Sequence, residues 1–305
     1  METLYSHKDS NIRKTWLLMA IFISILIGVG WFLSYLSASP AVLYLSVVIS
    51  LLMSVGSYWF SDKLVIAMTH AKPVTKEDAA ELYRIVENLS ITAGLPVPKI
   101  YVMDDAALNA FATGRNPEHG VVAVTRGLLN RLDRTELEGV IAHELSHIGN
   151  RDMLVSTVMV VLAGSIVMVS DLMTRHMLWS GGSSGRRDSR DGGAHGVILA
   201  IGIAAMLIAP LFATLIRLAI SRKREFLADA SGALLTRYPE GLANALEKIS
   251  SDPNQMRSAN NATAHLFFEN PFKADKRGGK TPWLAKIFMT HPPVEERIKA
   301  LRGVS

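Results

Sequence analysis

Residues 135–152 read Thr135-Glu-Leu-Glu-Gly-Val-Ile-Ala-His143-Glu144-Leu145-Ser146-His147-Ile-Gly-Asn150-Arg-Asp152. Thr135 followed by Glu138 has the spacing of a capping box, in which a hydroxyl and a carboxylate satisfy the free amides of a helix start. Leu137, Val140 and Ile141 supply an apolar stripe, so the segment is predicted to be helical. On a helix, residues i and i+4 share nearly one face, about 6 Å apart along the axis. His143 and His147 can therefore converge on one cation, and Glu144 lies beside the first ligand, where it can act as a base on water. A surface helix with two solvated histidines is the alternative. The apolar neighbours Ile141, Ala142 and Ile148 argue against it, because His and Glu buried without a metal or partner would cost several kcal/mol.

The 305 residues include no cysteine, so disulfides are excluded and a metal site must be built from His, Asp and Glu. A catalytic zinc takes three protein ligands and leaves one position open. The best third ligand is Glu225, in Arg224-Glu225-Phe226-Leu227-Ala228-Asp229-Ala230. Glu225 and Asp229 again stand at i and i+4, so one can bind metal while the other holds an imidazole, that of His143, from behind. Read alone, Glu225 is also a surface acid in a basic cluster. One Zn²⁺ per chain suits two His and a Glu, with other divalent cations left open.

Glu225 is far from His147 in the chain, and two apolar runs lie between them, Leu154 to Ser170 and Val197 to Ile216. Two crossings would return the chain to the same side, whereas one or three would separate the ligands. Two further runs, Trp16 to Leu36 and Ala41 to Phe60, precede them. Each approaches the roughly 20 residues that span a hydrocarbon core, consistent with 49% hydrophobic residues and a mean hydropathy of +0.24. The first run is too long for a signal-peptide core and is read as retained. The last two could instead form a buried helical hairpin. Their connection, Ser180 to Gly193, is rich in Gly, Ser and charge and reads as a loop.

Lys8, Arg13, Lys14, Lys63, Arg151, Arg217, Arg222, Lys223 and Arg224 would share one side. The other side holds Arg175, Arg186, Arg187 and Arg190. The excess puts both termini and the metal motif in the cytoplasm. It also accounts for the net charge of +5 without nucleic acid, for which no motif is present. The polar remainder reads as a helix over Thr75 to Thr92 stopped by Gly94, strands at Lys99 to Met103 and Gly120 to Val124, and an extended Asn109 to Gly114. Helices follow at Leu242 to Ile249 and Pro293 to Leu301.

With these features in place, the chain resembles the HtpX family of bacterial membrane metalloproteases and, more distantly, the CAAX prenyl endopeptidases. The resemblance rests on the four-run layout, His143-Glu-Leu-Ser-His147-x-x-Asn150-x-Asp152, Glu225-Phe-Leu-Ala-Asp229, Leu108-Asn-Ala-Phe-Ala-Thr-Gly114 and Thr290-His-Pro-Pro-Val-Glu-Glu-Arg-Ile298. It implies an α+β, mostly helical integral membrane protein with four hydrophobic spans and a cytoplasmic zincin-like catalytic domain with a small sheet. Residues 1–60 would be the first membrane hairpin, 61–152 and 217–305 the two catalytic parts, and 153–216 the second hairpin with its 180–193 loop.

The resemblance further implies zinc held by His143, His147 and Glu225, with Glu144 as catalytic base. It implies clearance of misfolded or damaged membrane proteins at the cytoplasmic face of the bacterial inner membrane. Asn109, Ala110, Phe111, Ala112 and Thr113 resemble a strand along which a peptide substrate pairs. His291 resembles a histidine that stabilises the oxyanion, although Thr290-His-Pro-Pro also reads as a plain helix start. The remaining histidines, His265 among them, read as isolated. Two other classes stay open. A scaffold with a structural zinc would close the site with a fourth ligand, such as His291. A transporter is disfavoured by the lack of ionisable residues at the centres of the runs. A zinc hydrolase of lipids or prenylated peptides also remains, and oligomeric state is not legible.

Overall fold

The computed structural model describes residues 4–159, 222–259, 263–271 and 292–303. Two long helices come first, α1 (Leu4–Ser37) and α2 (Pro40–Thr69). Pro40 occupies the first turn of α2, where its missing N–H costs nothing. Within them, Asp9–Phe32 and Pro40–Thr69 are long and apolar enough to cross a membrane. Trp31, Tyr35, Tyr44 and Leu52 face outward and exposed. Ser50, Ser54, Ser57 and Ser61 are buried along one face of α2, where small side chains let helices approach closely. Trp16 stacks on Tyr58 with ring centroids 5.6 Å apart, which sets the relative depth of the two helices.

The apolar run of α2 was expected to end at Phe60, but the helix continues to Thr69 and stops only where His70 turns left-handed at φ 53°. The reason is local: Ser61-Asp62-Lys63 changes the polarity of the chain and not its helical tendency. The extension carries Val65 into a core shared with Met103, Phe111 and Phe267. α2 is thus continuous from an apolar span into the folded body.

A four-stranded mixed sheet follows, with β1 (Lys72–Pro73), β2 (Lys99–Met103), β3 (Ala110–Thr113) and β4 (Val121–Thr125) in the order β1-β2-β4-β3. β2 and β4 run parallel, while β3 is antiparallel to β4 and forms an edge. Between β1 and β2, α3 (Ala80–Ala93) buries Leu82, Ile85, Val86 and Leu89 and ends at Gly94, φ 65°. It starts later than its stripe suggests because the Thr75 hydroxyl donates to Asp78 at 2.8 Å and holds that segment as a turn.

The short α4 (Arg126–Arg131) leads into α5 (Arg134–Gly149), the central helix. Its cap corrects the expected one. Asp133 is the N-cap, accepting from the Glu136 amide at 3.0 Å while Glu136 accepts from the Asp133 amide at 2.9 Å. Thr135 lies inside the first turn and donates its hydroxyl to Asp133 at 2.7 Å. A carboxylate two residues upstream outcompetes the hydroxyl, since it can also meet the helix dipole.

Residues 152–159 are helical, and Leu154 and Val158 pack against Met19 and Phe22 of α1. The rest of the third apolar run, all of the fourth and the 180–193 loop lie outside the described residues. The chain is next described in α6 (Arg222–Thr236) and α7 (Pro239–Ser251), and later in α8 (Val294–Arg302). Two glycines let α5 meet its neighbours. A Cβ on Gly139 would lie 2.8 Å from the Leu242 amide nitrogen of α7, and one on Gly232 of α6 would lie 3.0 Å from that of His143. Contact this close leaves no room for a side chain. The described architecture is therefore mostly helical, with a small mixed sheet and two helices of membrane-spanning length.

Candidate metal centre

α5 presents His143 and His147 on one face, their rings 4.7 Å apart and nearly perpendicular, with the two Nε2 atoms 3.1 Å from each other. Because α6 crosses α5 at Gly232, the start of α6 passes over that face. Glu225 arrives there, its carboxylate oxygens 3.9 Å from His143 Nε2 and 3.7 Å from His147 Nε2. Ligand atoms of all three residues lie within 4.8 Å of one another. Three donors around a tetrahedral zinc stand about 3.3 Å apart at the bond lengths zinc prefers, so small side-chain adjustments suffice.

The rear nitrogen of each ring meets a carboxylate. His143 Nδ1 lies 2.9 Å from Asp229, and His147 Nδ1 lies 3.3 Å from Asp152. Such contacts hold each ring from behind and turn both Nε2 atoms toward the shared point. Each carboxylate is in turn met by an arginine. Arg297, wholly buried, grips Asp229 through two bonds of 2.8 and 2.7 Å, and Arg224 lies 3.5 Å from Asp152. Phe268 fills the space beside them, edge-on to His143 at 5.0 Å and under Arg297 at 4.8 Å.

Charge explains why a cation belongs here. Glu144, Asp152, Glu225 and Asp229 are all buried, and Arg224 and Arg297 are the guanidiniums among them. With both imidazoles neutral, as ligation requires, the imbalance among these described residues is two negative charges, which matches a divalent ion. Burial pushes His143 down to about 4 despite the pull of Asp229. Burial also opposes protonation of His147, but the hydrogen bond with Asp152 and the charges of Glu225, Asp152 and Glu144 outweigh it and lift that ring to about 9. The 3.1 Å contact between the rings has room for one proton, so the opposite shifts are two sides of one event. Burial would raise Asp229, yet Arg297 and His143 hold it at about 2.

Glu144 lines the same cleft as the three candidate ligands, a space of about 40 Å³ that suits an ion with its water. His265, read from sequence as isolated, is buried in a short 3₁₀ turn (Ala264–Leu266) and also lines this cleft. His291 lies outside the described residues. Of the five residues expected to receive substrate, Ala112 borders the cleft. Asn109 and Ala110 engage residues 268–269 instead: the Phe268 backbone amide donates to the Ala110 carbonyl at 2.8 Å, and the Asn109 side-chain Nδ2 donates to the Glu269 carbonyl at 2.9 Å.

Sequence reasoning named Asp152 and Arg297 within the matched segments and Arg224 among the flanking charges, but gave none of the three a role at the site. Arg297 carried a signal, for it takes a core position in the stripe Val294, Arg297, Ile298 and Leu301. Arg224 had been counted only as a topological charge. Asp152 has no periodicity that reveals its partner.

The class this geometry points to is a zinc metallopeptidase. Residues 76–305 match Peptidase family M48, and the chain belongs to that family. It is 46% identical over 305 residues to the Protease HtpX homolog of Thermoanaerobacter pseudethanolicus, covering 100% of this chain and 99% of that one. It is 45% identical over 294 residues to the Protease HtpX homolog of Pyrococcus furiosus, covering 96% and 95%. For that of Streptococcus gordonii the identity is 40% over 302 residues, covering 98% and 99%. The crystal structure of S. mikatae Ste24p aligns with 93% of this chain and 62% of that chain, at 21% identity and a TM-score of 0.46. The expected resemblance to the HtpX family is borne out by the family match and these relatives, and the chain is a metalloprotease that uses zinc.

Proposed function

We propose that this protein is a membrane-anchored endopeptidase that hydrolyses misfolded or damaged membrane proteins at the cytoplasmic face of a bacterial inner membrane. One observation carries the location. Asp152, behind His147, accepts from Asn11 of α1 at 2.7 Å, and Asn11 stands five residues from the Trp16–Tyr58 stack. Five helical residues rise about 7.5 Å. If those aromatic rings mark the bilayer interface, as Trp and Tyr commonly do, the metal centre sits against the membrane surface. Arg115 stacked on Trp59 at 4.5 Å supports the same depth.

His143, His147 and Glu225 would hold the zinc. When bound, zinc supplies Lewis acidity toward the scissile carbonyl and toward water. Glu144 takes the proton of the attacking water and returns it to the departing amine. The Ala112 edge of β3 offers backbone groups with which an extended peptide pairs. Residues 61–152 and 217–305 act as one catalytic unit, a reading supported by the close crossing of α5 and α6. The runs Leu154 to Ser170 and Val197 to Ile216 complete a four-span anchor.

The test compares wild type, Glu144→Gln and Glu225→Ala in detergent or nanodiscs for zinc content and cleavage of an unfolded membrane protein. Glu144→Gln should retain zinc and lose cleavage, and Glu225→Ala should lose both. Full cleavage by pure Glu144→Gln would end the mechanism. Because the chain has no cysteine, Glu118→Cys reports the face directly. Labelling of Glu118→Cys by a membrane-impermeant reagent in intact spheroplasts would refute the cytoplasmic placement.

A further inference from the structure

We infer that Asn11, on the first long apolar helix, is a positioning residue of the metal centre, acting on His147 through Asp152. Asn11 is buried, and both hydrogens of its amide are used. One bond runs to Asp152 Oδ1 at 2.7 Å, and the other to the carbonyl of Asn150, the residue that ends α5, at 3.1 Å. Asp152 Oδ2 faces His147 Nδ1. A donor from α1 therefore grips the carboxylate that aims an imidazole, together with the end of the helix that carries it.

The two halves of the site differ in a way that gives Asn11 its weight. Asp229, behind His143, is gripped at 2.7 and 2.8 Å by one guanidinium. Asp152, behind His147, has its guanidinium at 3.5 Å only. The short bond on that side comes from Asn11. A hydrogen bond to a charged acceptor weakens steeply with length and misalignment, so the neutral amide takes the holding role that Arg297 fills on the other side. Were Asn11 only a peg between helix and body, the Asn150 carbonyl alone would serve. The second bond selects the carboxylate that orients a ring. α1 is then part of the metal centre as well as an anchor, and a catalytic body cut free of it keeps the HExxH helix but holds metal less well.

This inference rests on His147 being a zinc ligand. Full-length protein in detergent is titrated with zinc against a chromophoric chelator, and the visible spectrum of the cobalt-substituted protein is recorded. His147→Ala tests the underlying reading; tight zinc retained in that variant would overturn both. Outer partners of ligand imidazoles typically change metal affinity about 10–100-fold, and Asp152→Ala should fall in that range. Asn11→Leu, of similar volume without donors, should weaken zinc about 3–10-fold and shift the cobalt bands. In the Asp152→Ala background it should add little. Thr15→Val, one turn along α1, removes a hydroxyl whose hydrogen bond among the described residues is within its own helix, to the Asn11 carbonyl, and should leave zinc affinity unchanged. Should Asn11→Leu fail to fold, Asn11→Ser carries the same comparison. Unchanged affinity and cobalt bands in the folded Asn11 variant overturn the inference. So does an equal loss without Asp152, or a loss as large in Thr15→Val.

Discussion

Arg297 grips Asp229 as a two-pronged ion pair, Nε to Oδ2 at 2.8 Å and Nη2 to Oδ1 at 2.7 Å, with both side chains almost fully out of solvent. The pair joins the last described helix to the carboxylate behind His143. Removing one member of such a pair leaves a buried charge without compensation. Arg297→Met should therefore destabilise the protein by about 3–5 kcal/mol and weaken zinc as well. Chemical denaturation and zinc titration would check this, and a change below about 1 kcal/mol would contradict it. Arg297→Lys should restore little, because one ammonium cannot reproduce the fork. The sign with pH follows from Asp229, held at about 2 against an ordinary 3.8. Its contribution is complete above 3.8 and is lost as pH falls through about 2.

Zinc binding should release about one proton near pH 7.5. His147 is raised to about 9 and must shed its proton to ligate, while His143, lowered to about 4, has none to lose. Unperturbed imidazoles would release only about a tenth of a proton each at that pH. Apparent affinity should thus climb about tenfold per pH unit up to about pH 9 and then level. Calorimetry in buffers of different ionisation enthalpy counts the protons, and a count near zero would refute the His147 shift. In protein stripped of zinc by chelation, the stabilisation from charged His147 is full below 6.5 and is lost as pH rises through 9.

Gly232→Ala should impair the centre from outside it. The added methyl lies 3.0 Å from the His143 backbone nitrogen, so α6 must move away from α5. Overpacking of this kind costs about 1–3 kcal/mol. The same shift draws Glu225 back from the imidazoles, so zinc affinity should fall with stability. Wild-type values for both in Gly232→Ala would mean the helices yield without consequence.

The helix cap separates two neighbouring residues. Asp133→Ala should cost about 1 kcal/mol through loss of the cap, whereas Thr135→Ala, which removes a bond to Asp133 and not the cap itself, should cost less. Equal effects in thermal unfolding would indicate that the hydroxyl caps the helix after all.

What the sequence alone determined is what depends on neighbours along the chain. The i, i+4 spacing of His143 and His147 and that of Glu225 and Asp229 follow from helical pitch. The two long N-terminal helices follow from unbroken apolar runs, and the end of α3 follows from Gly94. Even the choice of Glu225 was legible, because it stands with Asp229 at i and i+4, so that one carboxylate can meet a metal while the other meets an imidazole. What only the tertiary structure decided is which distant groups meet. Asn11, Asp152, Arg224 and Arg297 come from four separated stretches, and no periodicity links them. They gather because buried charges demand partners, and the packing of α6 and α7 on α5, of α8 on those two, and of Asn11 at the end of α5 determines which partners lie within reach.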